Sequence, residues 1–457
     1  MDFLYVILTV LLVVAAVVMI LKKVDSRLTF LFLGAIGLAV ATIVTGKSVL
    51  GDSSTGSMIL DVFDVIRTKF ISTIQGTGIR LMMIGGYVML MNHTKAADIL
   101  ALGASRLLKG IKNPYIVLAL VYIIGAVLKI FITSQIALGL LFMATMFPIL
   151  TRMGVSKISA AAVCVAVGGM DLGPNDSTGI FAASDILNCT PMEWFVNYEI
   201  IIGPVIMVCV GIFFAVYFQY MDKKEFGGLV ISAETKENAK LSDIDVPAFY
   251  GVFPLIPLTL VVVFSFIDGV KMDVITAHII CFFLFFIVDL LVKKDMNRLQ
   301  DNLKRTWVWM GNYFNNIIVL ISVAAVFAEA IKKLGGIDVL SAMLANMGGA
   351  VIIVAIAFSA IQIGTALLTG SSNAPWFAFG PMAPDIASAL GCNVGLLLVP
   401  MHITGSLCRC FSPFCGAMIA VSGMVDVEPV VLCKRNMFPM LFGVLVCFIA
   451  SFVMFGM

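Results

Sequence analysis

Apolar residues in this chain come in long unbroken runs rather than in alternation with polar ones. Residues 3–21, 28–46, 114–128, 198–218, 274–288 and 437–456 are each long enough, or nearly so, to cross a hydrocarbon core of about 30 Å as a helix. Within a bilayer the backbone satisfies its polar groups only as a helix or a closed barrel. Runs without a period of two favour helices. The pattern predicts an all-α integral membrane protein. The first run lacks a basic stretch before it, and Lys22, Lys23 and Arg27 follow it, so it reads as a retained helix rather than a cleaved leader.

A second pattern lies over the first. An apolar arm (114–131) meets a polar tip, Ile132-Thr133-Ser134-Gln135, and a second arm (136–150) follows, ending near Pro148. A helix over 157–172 is then interrupted by Gly173-Pro174-Asn175-Asp176-Ser177-Thr178-Gly179. The construction recurs later. Arm 349–368 meets the tip Thr369-Gly370-Ser371-Ser372-Asn373-Ala374-Pro375, and its second arm passes Pro381 and Pro384. Helix 394–404 is interrupted by Gly405-Ser406-Leu407-Cys408-Arg409-Cys410-Phe411-Ser412-Pro413. Ser134 precedes Pro174 by 40 positions, and Ser372 precedes Pro413 by 41. Broken helices free backbone groups that lipid cannot satisfy, so they are tolerated only where they line a cavity. Paired interruptions in two halves of a chain point to a transporter's binding site. Pro kinks in ordinary helices explain one such break more easily than four at matched spacing.

Composition agrees with a membrane protein: 61% of residues are hydrophobic and 12% charged, with mean hydropathy +1.08. A soluble domain carries about 25% charge. The net charge of +2 gives no sign of a nucleic-acid partner. The ten cysteines are scattered in apolar runs and read as buried thiols, not as disulfides or a metal site. Basic residues concentrate in 22–27, 95–112, 152–157, 222–240, 293–305 and 434–435. Placing all of them on the cytoplasmic side puts the N-terminus outside. It makes 47–75 an outer loop and interfacial segment, and puts 189–196, 268–273, Lys332 and Lys333 outside. The first arm pair then enters from the cytoplasm and the second from outside, so the halves are inverted copies. The expected division is scaffold helices (1–93), first hairpin with its broken helix (94–220), cytoplasmic linker (221–246), second scaffold (247–334), second hairpin with its broken helix (335–436) and a final helix (437–457).

The charges at the breaks carry the candidate chemistry. Arg409 lies between apolar stretches, where a charge costs at least about 2.5 kcal/mol. A carboxylate substrate would offset that through a planar pair; so would a structural pair with Asp171 or Asp176. Those two acids read either as a site for a coupling cation or proton or, for Asp176, as a helix cap. Lys129 either pairs with one of them or snorkels. His402 reads as a polar core residue or a proton relay. Cys408, Cys410 and Cys415 lack the partners of a metal spacing, and 173–179 lacks the Gly-Lys-Ser/Thr ending of a phosphate loop, so neither a metal nor an ATP-driven pump is expected. The substrate-site candidates are Thr133, Ser134, Gln135, Asn175, Ser177, Thr178, Ser371, Ser372, Asn373, Arg409 and Ser412.

The segment Leu141-Phe142-Met143-Ala144-Thr145-Met146-Phe147-Pro148, the tip Thr369 to Pro375, the run Arg409-Cys410-Phe411-Ser412-Pro413 and Asp222-Lys223-Lys224-Glu225 resemble the DcuC family of anaerobic C4-dicarboxylate carriers, in order along nearly the whole chain. The resemblance implies inverted repeats, each with a re-entrant helical hairpin and a discontinuous transmembrane helix. It also implies a scaffold that forms a homodimer in the bacterial inner membrane and an elevator-like moving part. The substrate would be succinate or fumarate, coupled to Na+ or H+, with no other cofactor. By matching motif it assigns Thr133, Ser134, Ser372, Asn373, Arg409 and Ser412 to the substrate. Another organic anion, an amino acid, or an anion channel are the alternatives. No nucleophile–base pair supports an enzyme.

Overall fold

The computed structural model describes residues 2–105, 108, 110–227, 246–265, 272–335 and 350–456, which are helical throughout with no strand among them. Seven helices of this set are long and apolar enough to cross a membrane: Ser26–Thr45, Gln135–Arg152, Pro191–Phe226, Val274–Lys293, Val351–Thr369, Gly395–Val425 and Pro429–Phe455. Large apolar side chains such as Ile43, Val216, Phe283, Leu291 and Ile449 stand exposed along them. In a multi-pass membrane protein these are the lipid-facing positions, because no hydrophobic penalty attaches to exposure there.

Local chemistry sets the helix ends. Asp25 accepts from the backbone N–H groups of Arg27 and Leu28 and starts Ser26–Thr45, which stops at Gly46 in the left-handed conformation. The segment predicted as an outer loop over 47–75 is instead largely helical. Met58–Thr73 passes through a π turn, Ile74–Gly78, into Ile79–His93. Ile59, Leu60 and Phe63 stand exposed along it. A matching composite occurs in the second half: Met296–Tyr313, a π turn at Phe314–Ile318, then Val319–Leu334. The composites pack across the halves, Val319–Leu334 on Ser26–Thr45 and Met296–Tyr313 on Ile79–His93. At Gly85 an added Cβ would lie 2.4 Å from the Tyr313 ring, so only glycine lets that tyrosine seat there.

Other helices form a second packed group. Pro114–Lys129 lies on Ile200–Phe226, and Pro429–Phe455 packs on Ile200–Phe226, Lys157–Ala166 and Gly395–Cys408. Two expected boundaries move. The long helix continues to Phe226, so residues 221–226 are helical; most of the rest of the expected linker, and residues 268–271 of the polar stretch 268–273 expected on the outer side, lie outside the described residues. The last helix begins at Pro429 rather than 437 and carries Arg435 inward. Arg435 is 3% exposed and donates to Asp222 (3.4 Å) and to Glu225, so this member of the expected basic loop pair is an internal ion pair. Asp222 also accepts from Ser156 Oγ and Ser159 Oγ (both 2.7 Å) and Tyr115 OH (3.1 Å), tying four helices together.

Candidate functional site

Four irregular stretches meet in this second group. In the first tip, the Pro114–Lys129 helix ends and the chain runs extended into Ser134, whose Oγ accepts from Ala137 N (3.3 Å) to start Gln135–Thr145. The first break opens earlier than predicted. Lys157–Ala166 ends six residues short of the expected 172, and Val167–Asn175 is unwound before Ser177–Phe181. Gly168 and Gly169 weaken the helix there, and the chain turns at Gly173 (φ +105°). Asp176 caps the resumed helix, its carboxylate accepting from Thr178 N (2.9 Å) and Thr178 Oγ1 (2.6 Å).

The second tip follows Ala350–Thr369. Gly370 takes φ +75°, and a Cβ there would meet Phe414 O at 2.4 Å, so tip and second break are in backbone contact. The second break begins with a 3-10 turn, Arg409–Phe411, after Gly395–Cys408, and helix resumes at Gly416–Val425.

The charges are brought together. Lys129, fully buried, lies 2.9 Å from Asp171 and 3.1 Å from Asp176. Arg409 Nη2 donates to Asp171 Oδ1 (2.5 Å) and Gly168 O (3.2 Å), while its Nε has no partner among the described residues. Ser406 Oγ donates to the other oxygen of Asp171 (3.1 Å). Both structural readings of these residues therefore hold: Arg409 pairs with Asp171, and Asp176 is at once a cap and a partner of Lys129. Lys129 does not snorkel. The two cations balance the two carboxylates, so this quartet carries no net charge.

A cavity of about 470 Å³ lies between the four stretches, within the range of small-ligand sites. It is lined by Thr133, Ser134 and Gln135 from the first tip, Asp171, Asn175, Asp176, Ser177 and Thr178 from the first break, Gly370 and Asn373 from the second tip, and Arg409 from the second break. Ser371, Ser372 and Ser412 do not line it. Ser412 Oγ donates to Leu367 O (2.8 Å) and holds the break against the arm. Ser371 Oγ accepts from Asn373 N (3.4 Å), and Ser372 is buried beneath the tip against Gly405. Cys410 and Cys415 face Gln135 (Sγ to Nε2 3.3 Å and to Oε1 3.7 Å).

Sequence reasoning missed two sets of residues. The composite helices close the cavity from the other side with Leu81, Ile84, Tyr313 and Asn316; the Asn315-Asn316 pair at the head of a mostly apolar run was the available signal. The second omission is Glu199, 1% exposed, which accepts from Gly173 N and Trp194 Nε1 (both 2.7 Å) behind the first break. Its signal was an acid at the head of the apolar run 198–218. His402 Nε2 lies 2.7 Å from Thr178 Oγ1 and its Nδ1 3.7 Å from Glu199 Oε1.

Comparison with known proteins matches residues 4–456 to the family DcuC, described as C4-dicarboxylate anaerobic carrier. The anaerobic C4-dicarboxylate transporter DcuC of Escherichia coli (strain K12) is 29% identical over 427 residues, covering 93% of this chain and 91% of that one. Two solved structures share the fold at 13% identity. MtrF of Neisseria gonorrhoeae, described within a class of antimetabolite efflux pumps, aligns with TM-score 0.63 over 92% of this chain and 94% of its own. The YdaH transporter of Alcanivorax borkumensis aligns with TM-score 0.57 over 94% and 97%.

Proposed function

The chain belongs to the DcuC family of C4-dicarboxylate anaerobic carriers, and from that premise we propose that it is a secondary carrier of C4-dicarboxylates such as succinate and fumarate. The observation that carries this reading is the cavity shared by both tips and both breaks, with Arg409 at its wall. Hydroxyls and amides of Thr133, Ser134, Gln135, Asn175, Ser177 and Asn373 supply donors for two carboxylates, and Arg409 has an unspent Nε–H.

Charge balance supports coupling. The Lys129, Arg409, Asp171 and Asp176 quartet is neutral as it stands. A dicarboxylate adds two negative charges to this site. Two unit charges about 6 Å apart interact by about 3 kcal/mol at an effective dielectric of about 20, so the dianion enters favourably only when cations accompany it. Na+ or H+ fills that role. Arg409 turns from Asp171 to substrate, and the acid released takes up part of the positive charge.

The halves are read as inverted copies with re-entrant hairpins, residues 1–93 and 247–334 as scaffold, and 94–220 and 335–436 as moving part. A homodimer in the inner membrane with its N-terminus outside completes the proposal. An elevator displacement of the moving part must break Arg80 Nη1 to Ser184 Oγ (2.7 Å), the Thr77–Asp185 hydrogen bond and the Lys332–Asp385 pair (3.2 Å), all of which join the two groups.

Uptake of labelled succinate into proteoliposomes tests the reading. The expected result is saturable uptake, competed by fumarate and driven by a cation or pH gradient. Non-saturating, voltage-driven current would instead identify a channel, and absence of fumarate competition would remove C4-dicarboxylates as substrates.

A further inference from the structure

Glu199 and His402 lie outside the cavity lining, and their geometry specifies a proton. Glu199 Oε2 accepts from Gly173 N and Oε1 from Trp194 Nε1. Among the described residues the only basic group within ion-pair distance of it is His402, at 3.7 Å from Nδ1 to Oε1. The state of Nδ1 follows from the other side of the ring. Asp176 takes Lys129 on one oxygen and two donors from Thr178 on the other, so both its oxygens act as acceptors. Thr178 Oγ1 therefore spends its single proton on Asp176 and must accept from His402 Nε2. The imidazole carries its hydrogen on Nε2, and in a neutral ring Nδ1 is a bare acceptor with no partner. It faces a carboxylate oxygen. Two buried acceptors 3.7 Å apart repel each other unless one proton sits between them.

We propose that Glu199 and His402 form the proton-binding site of the carrier, loaded by one proton on the Glu199 carboxyl directed at His402 Nδ1. The inference rests on the carrier reading above and names its coupling ion. Trp194 and Trp376 flank the imidazole, with ring centroids 6.2 and 4.8 Å away. The hydrogen-bonded connection to the cavity runs His402, Thr178, Asp176. Asp171 and Asp176 from the first break face both groups, and Lys129 from the first arm and Arg409 from the second break face His402. Tyr198 is stacked on Trp194, with ring centroids 4.7 Å apart. A dianion entering the cavity makes the local potential more negative and raises the proton affinity of the pair. By linkage the proton raises affinity for the dianion equally.

Labelled succinate and internal pH, read by pyranine, are followed in the same proteoliposomes. Glu199→Gln, whose carboxamide replaces the protonated acid, is expected to carry one proton fewer per succinate and to lose the pH dependence of succinate exchange. Glu199→Asp restores both. If Glu199→Gln is not monodisperse in detergent, His402→Gln is read in its place, with the same one-proton loss expected. An unchanged proton count and pH profile in a folded variant overturns the proposal. So does wild-type succinate transport driven by sodium with no proton movement, and both results leave the carrier intact. Failure of the wild-type protein to bind or exchange succinate overturns the carrier reading itself.

Discussion

Lys129 is the buried cation on which the first break depends, and its removal has a calculable cost. It is wholly enclosed and holds Asp171 at 2.9 Å and Asp176 at 3.1 Å, one in the middle of the unwound stretch and one at its end. In Lys129→Met, Asp171 keeps Arg409 and Ser406 Oγ, whereas Asp176 keeps only the neutral donors of Thr178. Removing one partner of a buried pair costs about 3–5 kcal/mol, because the other charge is left uncompensated. Asp176→Asn alone leaves Lys129 paired with Asp171 and preserves the cap, so its cost is smaller, about 1–3 kcal/mol. The double substitution returns the quartet to neutrality. It is expected to be more stable than Lys129→Met, with a coupling energy of about 2–3 kcal/mol. Denaturant unfolding in detergent micelles, followed by tryptophan fluorescence, measures all four corners of the cycle. A Lys129→Met protein as stable as wild type, or a double variant no better than the single one, would refute the reasoning.

Three further outcomes follow from local geometry. Gly370→Ala forces a left-handed alanine whose Cβ lies 2.4 Å from Phe414 O; the expected result is loss of monodisperse protein by size exclusion, while Gly391→Ala, at φ +64° with open space around it, carries only the left-handed strain of about 1–2 kcal/mol and stays monodisperse. Asp222→Ala leaves the buried Arg435 with Glu225 as its remaining acid and takes the acceptor from four other donors, and destabilises by about 3–5 kcal/mol in the same unfolding assay. Asp25→Ala removes the cap of Ser26–Thr45 at a cost of about 0.5–2 kcal/mol. Its hydrogen bonds with Arg27 hold the Asp25 carboxyl down at about 2 from an ordinary 3.8. A depressed acid contributes stability above its unfolded value and loses it as pH falls through its folded one. The gap between wild type and Asp25→Ala should therefore be full at pH 7 and close as pH falls from about 4 to about 2; a gap independent of pH excludes the carboxylate as its source.

The apolar runs and the interruptions were legible because both are consequences of the backbone in lipid. A run such as 114–128 can only be helix, and Ser134, Gly370 and Arg409 mark where helix cannot continue. Pairing was less legible. That Lys129 reaches both Asp171 and Asp176 depends on how the Pro114–Lys129 helix packs, which spacing alone does not give. The first break began at Val167 because glycine at 168 and 169 permits unwinding that the apolar pattern of 157–172 concealed. Ser412 was misplaced for a similar reason: a hydroxyl beside a break serves the broken backbone as readily as a ligand, and here Leu367 O takes it. Glu199 escaped because a single acid at the head of a long apolar run reads as an interfacial residue until the fold shows it enclosed.

The most direct test is an experimental structure of the protein in lipid nanodiscs with succinate bound. The two carboxylates are predicted in the cavity between Ser134, Asn175 and Asn373, with one of them in hydrogen-bond contact with Arg409. Succinate found instead in the second polar cavity, beside Lys69, Glu329 and Lys332, would contradict the account.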